Sequence, residues 1–122
     1  MHMLDGYGMD TITLAGSLEA KLSAMKAAGF SQVMLMARDL MGHPGGVEAA
    51  AQAVRDSGLR PTGFQVLRDF EGLSGHLHDY KVDMAKSMLS MCQAVGSRVL
   101  LACSSTSRHA TDEHDQIVRD LR

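Results

Sequence analysis

A recurring junction organises this sequence: an amphipathic stretch ends at a glycine and is followed at once by a short apolar run. The junction occurs three times, at Gly29, Gly58 and Gly96. Glycine readily adopts the left-handed conformation that closes many helices, so each of these residues is a predicted helix end. The short apolar runs that follow are typical of strands covered on both faces. The recurrence therefore predicts alternating helices and strands.

The apolar residues before each glycine are spaced as in a helix. Apolar side chains three or four positions apart lie on one face of a helix, and that face packs against a core. The predicted faces are Leu18, Leu22 and Met25 in the first helix, Val47, Ala50, Ala51 and Val54 in the second, and Tyr80, Met84, Met88, Met91 and Val95 in the third. Ser17 is the predicted cap of the first helix, and Thr111 is the predicted start of a fourth.

The order of these elements predicts the fold class. With residues 10–16 as an opening strand, strands and helices alternate four times, and right-handed crossovers then give a parallel sheet with outer helices. The sequence contains neither a G-x-G-x-x-G turn nor a P-loop, which disfavours an open nucleotide-binding sheet. We therefore predict an α/β fold, the (β/α)4 half of a TIM barrel. Residues 1–122 form a single partial domain, the amino-terminal half of a (β/α)8 barrel, with a disordered or irregular start at residues 1–8.

Composition excludes several classes of partner. The net charge is −2 and acidic and basic residues are interleaved, so no basic surface is expected for nucleic acid or a membrane. No run approaches the roughly 20 apolar residues of a membrane span, and the first residues do not resemble a signal peptide. The predicted location is the cytoplasm. Cys92 and Cys103 lack the spacing of a metal site and are predicted to be reduced, half-buried thiols.

The carboxyl ends of the strands are where parallel β/α proteins place their functional residues. The loops expected there are residues 16–17, 38–43, 67–72 and 104–109. In the third, Arg68, Asp69 and Glu71 directly follow an apolar run. The planar guanidinium of Arg68 suits a carboxylate or phosphate ligand, and Glu71 is a suitable group to orient it. The alternative is that Arg68 pairs with Asp69 or Glu71 at the rim.

Other polar residues near the predicted loops give weaker signals. Five histidines fall in or beside these loops: His43, His76, His78, His109 and His114. Their spacing is loose. His76 and His78 could place two imidazoles together on an extended segment, but they lie in a polar stretch just before a helix and no nearby Cys or carboxylate spacing matches a closed metal site, so we interpret these two as solvated. Ser104 offers a hydroxyl at a strand end, but no Gly-x-Ser-x-Gly elbow supports a nucleophile.

Two segments, residues 63–72 (GFQVLRDFEG) and 99–104 (VLLACS), resemble the sugar phosphate isomerase/epimerase superfamily of xylose isomerase-like barrels. Within it the sequence is most similar to the bacterial 3-dehydroshikimate dehydratases, from about Thr11 to Arg122. The resemblance implies a lyase that removes water from 3-dehydroshikimate to give protocatechuate. It also implies that Arg68 binds the substrate carboxylate, that Glu71 orients Arg68 or is a polar contact, and that Ser104 is a hydroxyl contact. At the second strand, Arg38 departs from the family pattern and is a further candidate substrate contact.

The resemblance further implies a divalent metal ion (Mg, Mn, Co or Zn) in the complete barrel. Its ligands come mainly from later strands of the family barrel, so no metal is expected on this segment, and the chain alone is expected to be inactive. One alternative is a sugar or sugar-phosphate isomerase or epimerase of the same superfamily. A second alternative is a half-barrel module without catalysis.

Four β/α units leave the edges of a sheet open. We therefore expect either a homo-oligomer formed through those edges or a missing carboxyl-terminal half that completes the barrel. The end of the sequence, within an apparently unfinished helix, is expected of a cut chain. The expected ligand is a small carboxylate or a sugar.

Overall fold

The structure is a computed structural model, and it describes residues 4–122. Four parallel strands form one sheet in the order β1-β2-β3-β4. The strands are β1 (Gly8–Asp10), β2 (Gln32–Met36), β3 (Arg60–Arg68) and β4 (Leu100–Cys103). The helices are α1 (Leu18–Ala28), α2 (Ala37–Met41), α3 (Gly46–Ser57), α4 (Gly75–Val95) and α5 (His114–Asp120), and Thr11–Thr13 form a 3-10 turn. The predicted α/β class with four parallel strands is confirmed.

The three junction glycines close helices as predicted. Gly29, Gly58 and Gly96 follow α1, α3 and α4 with φ angles of 97°, 74° and 77°. A side chain at such an angle crowds its own backbone, so glycine is the residue that ends each helix without strain. At the other end of α1, the hydroxyl of Ser17 accepts a hydrogen bond from the Ala20 amide at 3.1 Å, which confirms the predicted cap.

The predicted opening strand at residues 10–16 is wrong. The strand ends at Asp10, because the Asp10 carboxylate accepts a hydrogen bond from the Ile12 amide at 3.0 Å. This local side-chain bond offers the backbone an alternative to the strand ladder and starts the 3-10 turn. Before the strand, the Tyr7 amide donates to the Leu4 carbonyl in a turn, and Gly8 already belongs to β1. Of the irregular start predicted for residues 1–8, residues 1–3 lie outside the described residues.

Three further local predictions are corrected by tertiary contacts. The fourth helix begins at His114 and not at Thr111, because the Thr111 amide donates to the Gly72 carbonyl and is thereby fixed in a loop. The stretch expected to be a loop after the second strand begins as the short helix α2. Tyr80, predicted on the buried face of the third helix, is 58% exposed, whereas Met88, Met91 and Val95 of the same predicted face are buried.

The core lies between the sheet and one layer of helices. From the sheet it contains Val33, Leu35, Phe64 and Leu67, and from the helices it contains mainly Leu22, Met25, Val54 and Met88. Side chains alternate along a strand, so the other face of the sheet is turned away from the helices. We call this the inner face; it includes Asp10, Met34, Met36 and Gln65. No helix within residues 4–122 is both long and apolar enough to cross a membrane.

A buried polar cluster connects the first two β/α units. The Asp39 carboxylate accepts hydrogen bonds from the Thr11 hydroxyl at 2.5 Å and from the Met36 amide at 2.9 Å. It also pairs with the Lys21 ammonium at 3.2 Å, and the two side chains are only 3% and 10% exposed. One carboxylate therefore fixes the turn after β1, the helix α1 and the start of α2 relative to one another.

The edges of the sheet are open. Strands β1 and β4 each pair with one neighbour in the described structure. Large apolar side chains are exposed beside both strands: Tyr7 and Ile12 at β1, and Val99 and Leu101 at β4. An exposed apolar edge of this kind is a surface for pairing with another strand.

Candidate functional site

The inner face of the sheet has a polar pair near the carboxyl ends of the strands. The side-chain amide of Gln65 on β3 donates to the Asp10 carboxylate on β1 at 2.5 Å. Strand β2 lies between these two strands, so the hydrogen bond passes over it. Gln65 is 9% exposed, although it is polar. The hydrogen bond to Asp10 shows that Gln65 faces away from the helical core.

Arg68 is the last residue of β3 and its side chain is exposed. Its backbone carbonyl accepts a hydrogen bond from the Lys81 ammonium at 2.8 Å, but within residues 4–122 its guanidinium makes neither a hydrogen bond nor an ion pair. Leu67 points into the core, so Arg68 points to the inner face. A register irregularity in β3 between Gln65 and Leu67 places Gln65 on this same face. The guanidinium is therefore available to an anion from solution.

The two acids beside Arg68 bind the backbone of the neighbouring loop. One oxygen of Asp69 accepts hydrogen bonds from the amides of Thr106 and Ser107, at 2.8 and 3.1 Å. One oxygen of Glu71, a buried residue, accepts from the Ser105 amide at 2.5 Å. Three consecutive amides of the β4–α5 loop are thus bound by carboxylates of the β3–α4 loop.

The two acids beside Arg68 do not form ion pairs with it. In the described chain, Arg68 pairs with neither Asp69 nor Glu71. Charged hydrogen bonds to fixed backbone amides are strong and cost no side-chain entropy at the amide. The loop amides therefore occupy the bound carboxylate oxygens, and Glu71 holds the β4–α5 loop in the described chain. A role of Glu71 in orienting Arg68 or in contacting a substrate stays a prediction.

The hydrogen bonds to Asp69 also stabilise its charged form. The amide of Thr106 contributes most, the amide of Ser107 adds to it, and the positive charge of Lys81 acts in the same direction, so the pKa of Asp69 lies below its usual value. Asp69 has a φ angle of 52°, a left-handed conformation that aspartate and asparagine tolerate better than most residues.

We expect the stability provided by Asp69 to depend on pH. Because its pKa is lowered by folding, the contribution is present above the unfolded pKa of about 3.9 and is lost as the pH falls through the lower folded value. The difference in melting temperature between the wild type and Asp69→Asn should therefore be constant from about pH 7 to pH 5 and shrink towards pH 2. Asparagine retains the left-handed backbone, so the variant isolates the charge. A difference that grows on acidification would contradict this prediction.

The β4–α5 loop adds two hydroxyls to the site. Ser104, a predicted contact, is exposed directly after β4. The hydroxyl oxygen of Ser105 is buried and has no hydrogen-bond partner within residues 4–122. Ser104, Ser105 and Glu71 line a cavity of about 430 Å³ whose other side is formed by Ile117 and Leu121 of the α5 region. Buried hydroxyls usually have a hydrogen-bond partner, and the hydroxyl of Ser105 is a polar group of this rim that lacks one in the described chain.

Arg38, the other predicted contact, lies elsewhere. Its side chain is exposed in the first turn of α2. It lines a cleft of about 220 Å³ together with Gly16, Ser17 and His43. This cleft shares no lining residue with the cavity beside Glu71. The larger groove of about 810 Å³ between α1 and α3 contains none of the predicted site residues.

His43 is held by two hydrogen bonds. His43 bonds Glu19 at 2.5 Å, and its other ring nitrogen accepts from the Gly45 amide at 3.0 Å. Within residues 4–122, no group of three or more His, Cys, Asp or Glu side chains is arranged to hold a metal ion.

Two curated proteins align with almost the whole chain. The 3-dehydroshikimate dehydratases of Pseudomonas putida and Pseudomonas aeruginosa are 34% and 32% identical to it over 112 residues. The chain is similar to a segment of these enzymes. The aligned region is 92% of this chain but 18% of each relative, so the chain spans less than a fifth of their length. No family model matches the sequence.

Two solved structures have the same fold. A xylose isomerase-like TIM barrel/4-hydroxyphenylpyruvate dioxygenase fusion protein superposes with a TM-score of 0.85 and 31% identity over 99% of this chain and 19% of its own. A Sinorhizobium meliloti protein superposes with a TM-score of 0.76 over 93% of this chain and 43% of its own; at 13% identity it supports the fold alone. The fold is therefore that of part of a TIM barrel, and the predicted resemblance to the dehydratases is confirmed.

Proposed function

We propose that this segment supplies the substrate-binding rim of a dehydratase that acts on 3-dehydroshikimate, with Arg68 binding the substrate carboxylate. The observation that supports the proposal most directly is the guanidinium of Arg68, which lies at the carboxyl end of β3 without a partner in the described chain. The similarity to two dehydratases of that name supports the choice of substrate.

The geometry around Arg68 suits this role. Asp69 and Glu71 are occupied by loop amides, so an incoming carboxylate does not have to displace an internal acid from the guanidinium. An arginine can bind a carboxylate through two parallel hydrogen bonds, which fixes the orientation of the ring that bears it. Orienting the substrate in this way is a large source of rate acceleration in enzymes.

The chemistry of the proposed reaction is an elimination. Loss of one water breaks one ring C–O bond and two ring C–H bonds of 3-dehydroshikimate. One of the two protons leaves with the hydroxyl as water, and the other ends on the former ketone oxygen, which gives aromatic protocatechuate. A divalent metal ion remains a prediction for the complete enzyme, with ligands expected mainly from later strands of the family barrel. The role assigned to Arg68 is binding and orientation, and it does not depend on that ion.

A direct assay tests the proposal. The complete polypeptide that contains this segment should convert 3-dehydroshikimate to protocatechuate, followed by the absorbance of the aromatic product. The alternative function, isomerisation or epimerisation of a neutral sugar, predicts no aromatic product and little dependence on Arg68. A non-catalytic half-barrel module predicts no turnover of either substrate class. Conversion of a neutral sugar without conversion of 3-dehydroshikimate would overturn the proposal.

We also propose that the open edges of the sheet pair with further strands, which in a longer polypeptide are the remaining strands of the barrel. The isolated chain of residues 1–122 should then associate with itself through these edges and sediment as a dimer or larger species. Val99→Lys, at the β4 edge, should weaken this association. Leu89→Lys is the matched control, because Leu89 is similarly exposed (52% against 54%) but lies on α4. A stable wild-type monomer with a cooperative melting transition would contradict this expectation.

A further inference from the structure

Gln65 and Asp10 are joined on the inner face, and the hydrogen bond between them fixes how Gln65 is oriented. The oxygen and nitrogen of a glutamine side chain are nearly identical in size and are told apart by their hydrogen bonds. A carboxylate such as that of Asp10 can only accept hydrogen bonds. The nitrogen of Gln65 must therefore face Asp10. Its oxygen, Oε1, is left pointing away from that contact, and the hydrogen bond to Asp10 is the only side-chain hydrogen bond of Gln65 within residues 4–122.

Asp10 is itself held in place. One carboxylate oxygen accepts from the Ile12 amide at 3.0 Å, and the other accepts from Gln65. The carboxylate is thus anchored by the 3-10 turn after β1 before it binds the glutamine. This leaves Gln65 little freedom to rotate, although it reaches across β2.

Gln65 and Arg68 lie on one strand and point to the same face. Their register partners on β4 are Leu101 and Cys103. These partners are only two residues apart, because β3 has a register irregularity between Gln65 and Leu67. At roughly 3.3 Å per residue, Gln65 and Arg68 are therefore separated by roughly 7 Å along the sheet, and the long side chain of Arg68 shortens the gap between the functional groups. A bound carboxylate at Arg68 would therefore place the rest of its molecule over the inner face, towards Gln65.

We propose that Gln65 determines substrate specificity: its Oε1 accepts a hydrogen bond from a hydroxyl of the ring whose carboxylate Arg68 binds. Asp10 is a positioning residue that acts through Gln65. The inference rests on the proposed function. It adds the residue that recognises a ring hydroxyl of the cyclic hydroxycarboxylate, with that hydroxyl directed into the barrel. A site built around a hydroxyl discriminates strongly against ligands that lack it, because its polar group is then left unpaired.

The test compares substitutions in the complete enzyme with 3-dehydroshikimate as substrate. Gln65→Met keeps the length of the side chain and removes the acceptor, and it should lower kcat/KM by at least about tenfold. Asp10→Ala leaves Gln65 in place but free to rotate, and it should lower kcat/KM to a similar extent. Combining the two should be no worse than Gln65→Met alone, because Asp10 has no role once the glutamine is absent.

Controls separate this role from a structural one. Gln32→Met replaces a glutamine at the amino end of β2 that donates to the Gly6 carbonyl, and it should change kcat/KM less than twofold. Melting temperatures are measured for every variant. If Gln65→Met fails to fold, Asp10→Ala alone tests the inference through its effect on kcat/KM.

Three outcomes would overturn the inference. One is normal kcat/KM in Gln65→Met or Asp10→Ala. Another is multiplication of the two losses in the double variant, which would show that Asp10 acts independently of Gln65. The third is wild-type enzyme that does not convert 3-dehydroshikimate, which would overturn the proposed function as well. If replacing Arg68 lowers kcat/KM strongly while Gln65→Met has normal kcat/KM, this inference is overturned and the proposed function stands.

Discussion

Arg68→Ala should lower kcat/KM for 3-dehydroshikimate by about 2–4 kcal/mol, or roughly thirtyfold to a thousandfold, if the guanidinium binds the substrate carboxylate. The size of the effect follows from the loss of a charge-assisted, two-point contact to an ion. Because Arg68 is exposed and has no internal partner in the described chain, the free energy of unfolding should change by less than about 0.5 kcal/mol. The measurement is a steady-state assay combined with denaturant unfolding.

Two matched variants sharpen this experiment. Arg68→Lys keeps the charge and loses the planar fork, so its kcat/KM should lie between those of the wild type and of the alanine variant. Arg60→Ala removes an exposed arginine from the amino end of the same strand and should leave activity unchanged. Activity on 3-dehydroshikimate that survives Arg68→Ala would refute the carboxylate-binding role.

Asp39→Ala should destabilise the protein by about 3–5 kcal/mol, because it leaves the buried ammonium of Lys21 without its counterion. The loss is a large fraction of the roughly 5–15 kcal/mol by which domains of this kind are stable. It also removes the acceptor for the Thr11 hydroxyl and the Met36 amide. Urea unfolding followed by circular dichroism measures the change.

The control for Asp39 is another aspartate that makes one exposed contact. Asp56 accepts a hydrogen bond from the side chain of Gln52 on the surface of α3, and Asp56→Ala should cost less than about 1 kcal/mol. Replacing Lys21 and Asp39 together by methionine and leucine should cost less than Asp39→Ala, since no charge is then left buried. A change below about 1 kcal/mol for Asp39→Ala would contradict the role assigned to the ion pair.

The hydrogen-bond partners of Asp39 and Asp69 could not be predicted from the sequence. Asp39 was part of a stretch expected to be a rim loop, but it lies buried at the start of a helix and binds residues 18 and 28 positions away. Asp69 was considered only as a partner of Arg68, and it binds amides 37 and 38 positions away. Nothing near either residue in the sequence indicates these partners.

The face of the sheet that Gln65 occupies could not be predicted from the sequence either. Its position in an apolar run was visible, but the face it occupies depends on the register of β3 against two other strands. A possible signal was Asp10, a lone acid at the end of the first strand, which has to find a donor if it points inward. Because the predicted strand began at Asp10 and did not end there, the pairing of Asp10 with Gln65 was not predicted.

Three features could be predicted from the sequence: the α/β alternation, the helix ends at Gly29, Gly58 and Gly96, and the position of Arg68 at the end of a strand. These features depend on backbone conformation and on periodic burial, which act over a few neighbouring residues. Which charged side chains pair internally and which remain available to a ligand depends on tertiary contacts. Hydrogen bonds between loops depend on which strands are adjacent, and adjacency brings together residues that are far apart in the chain.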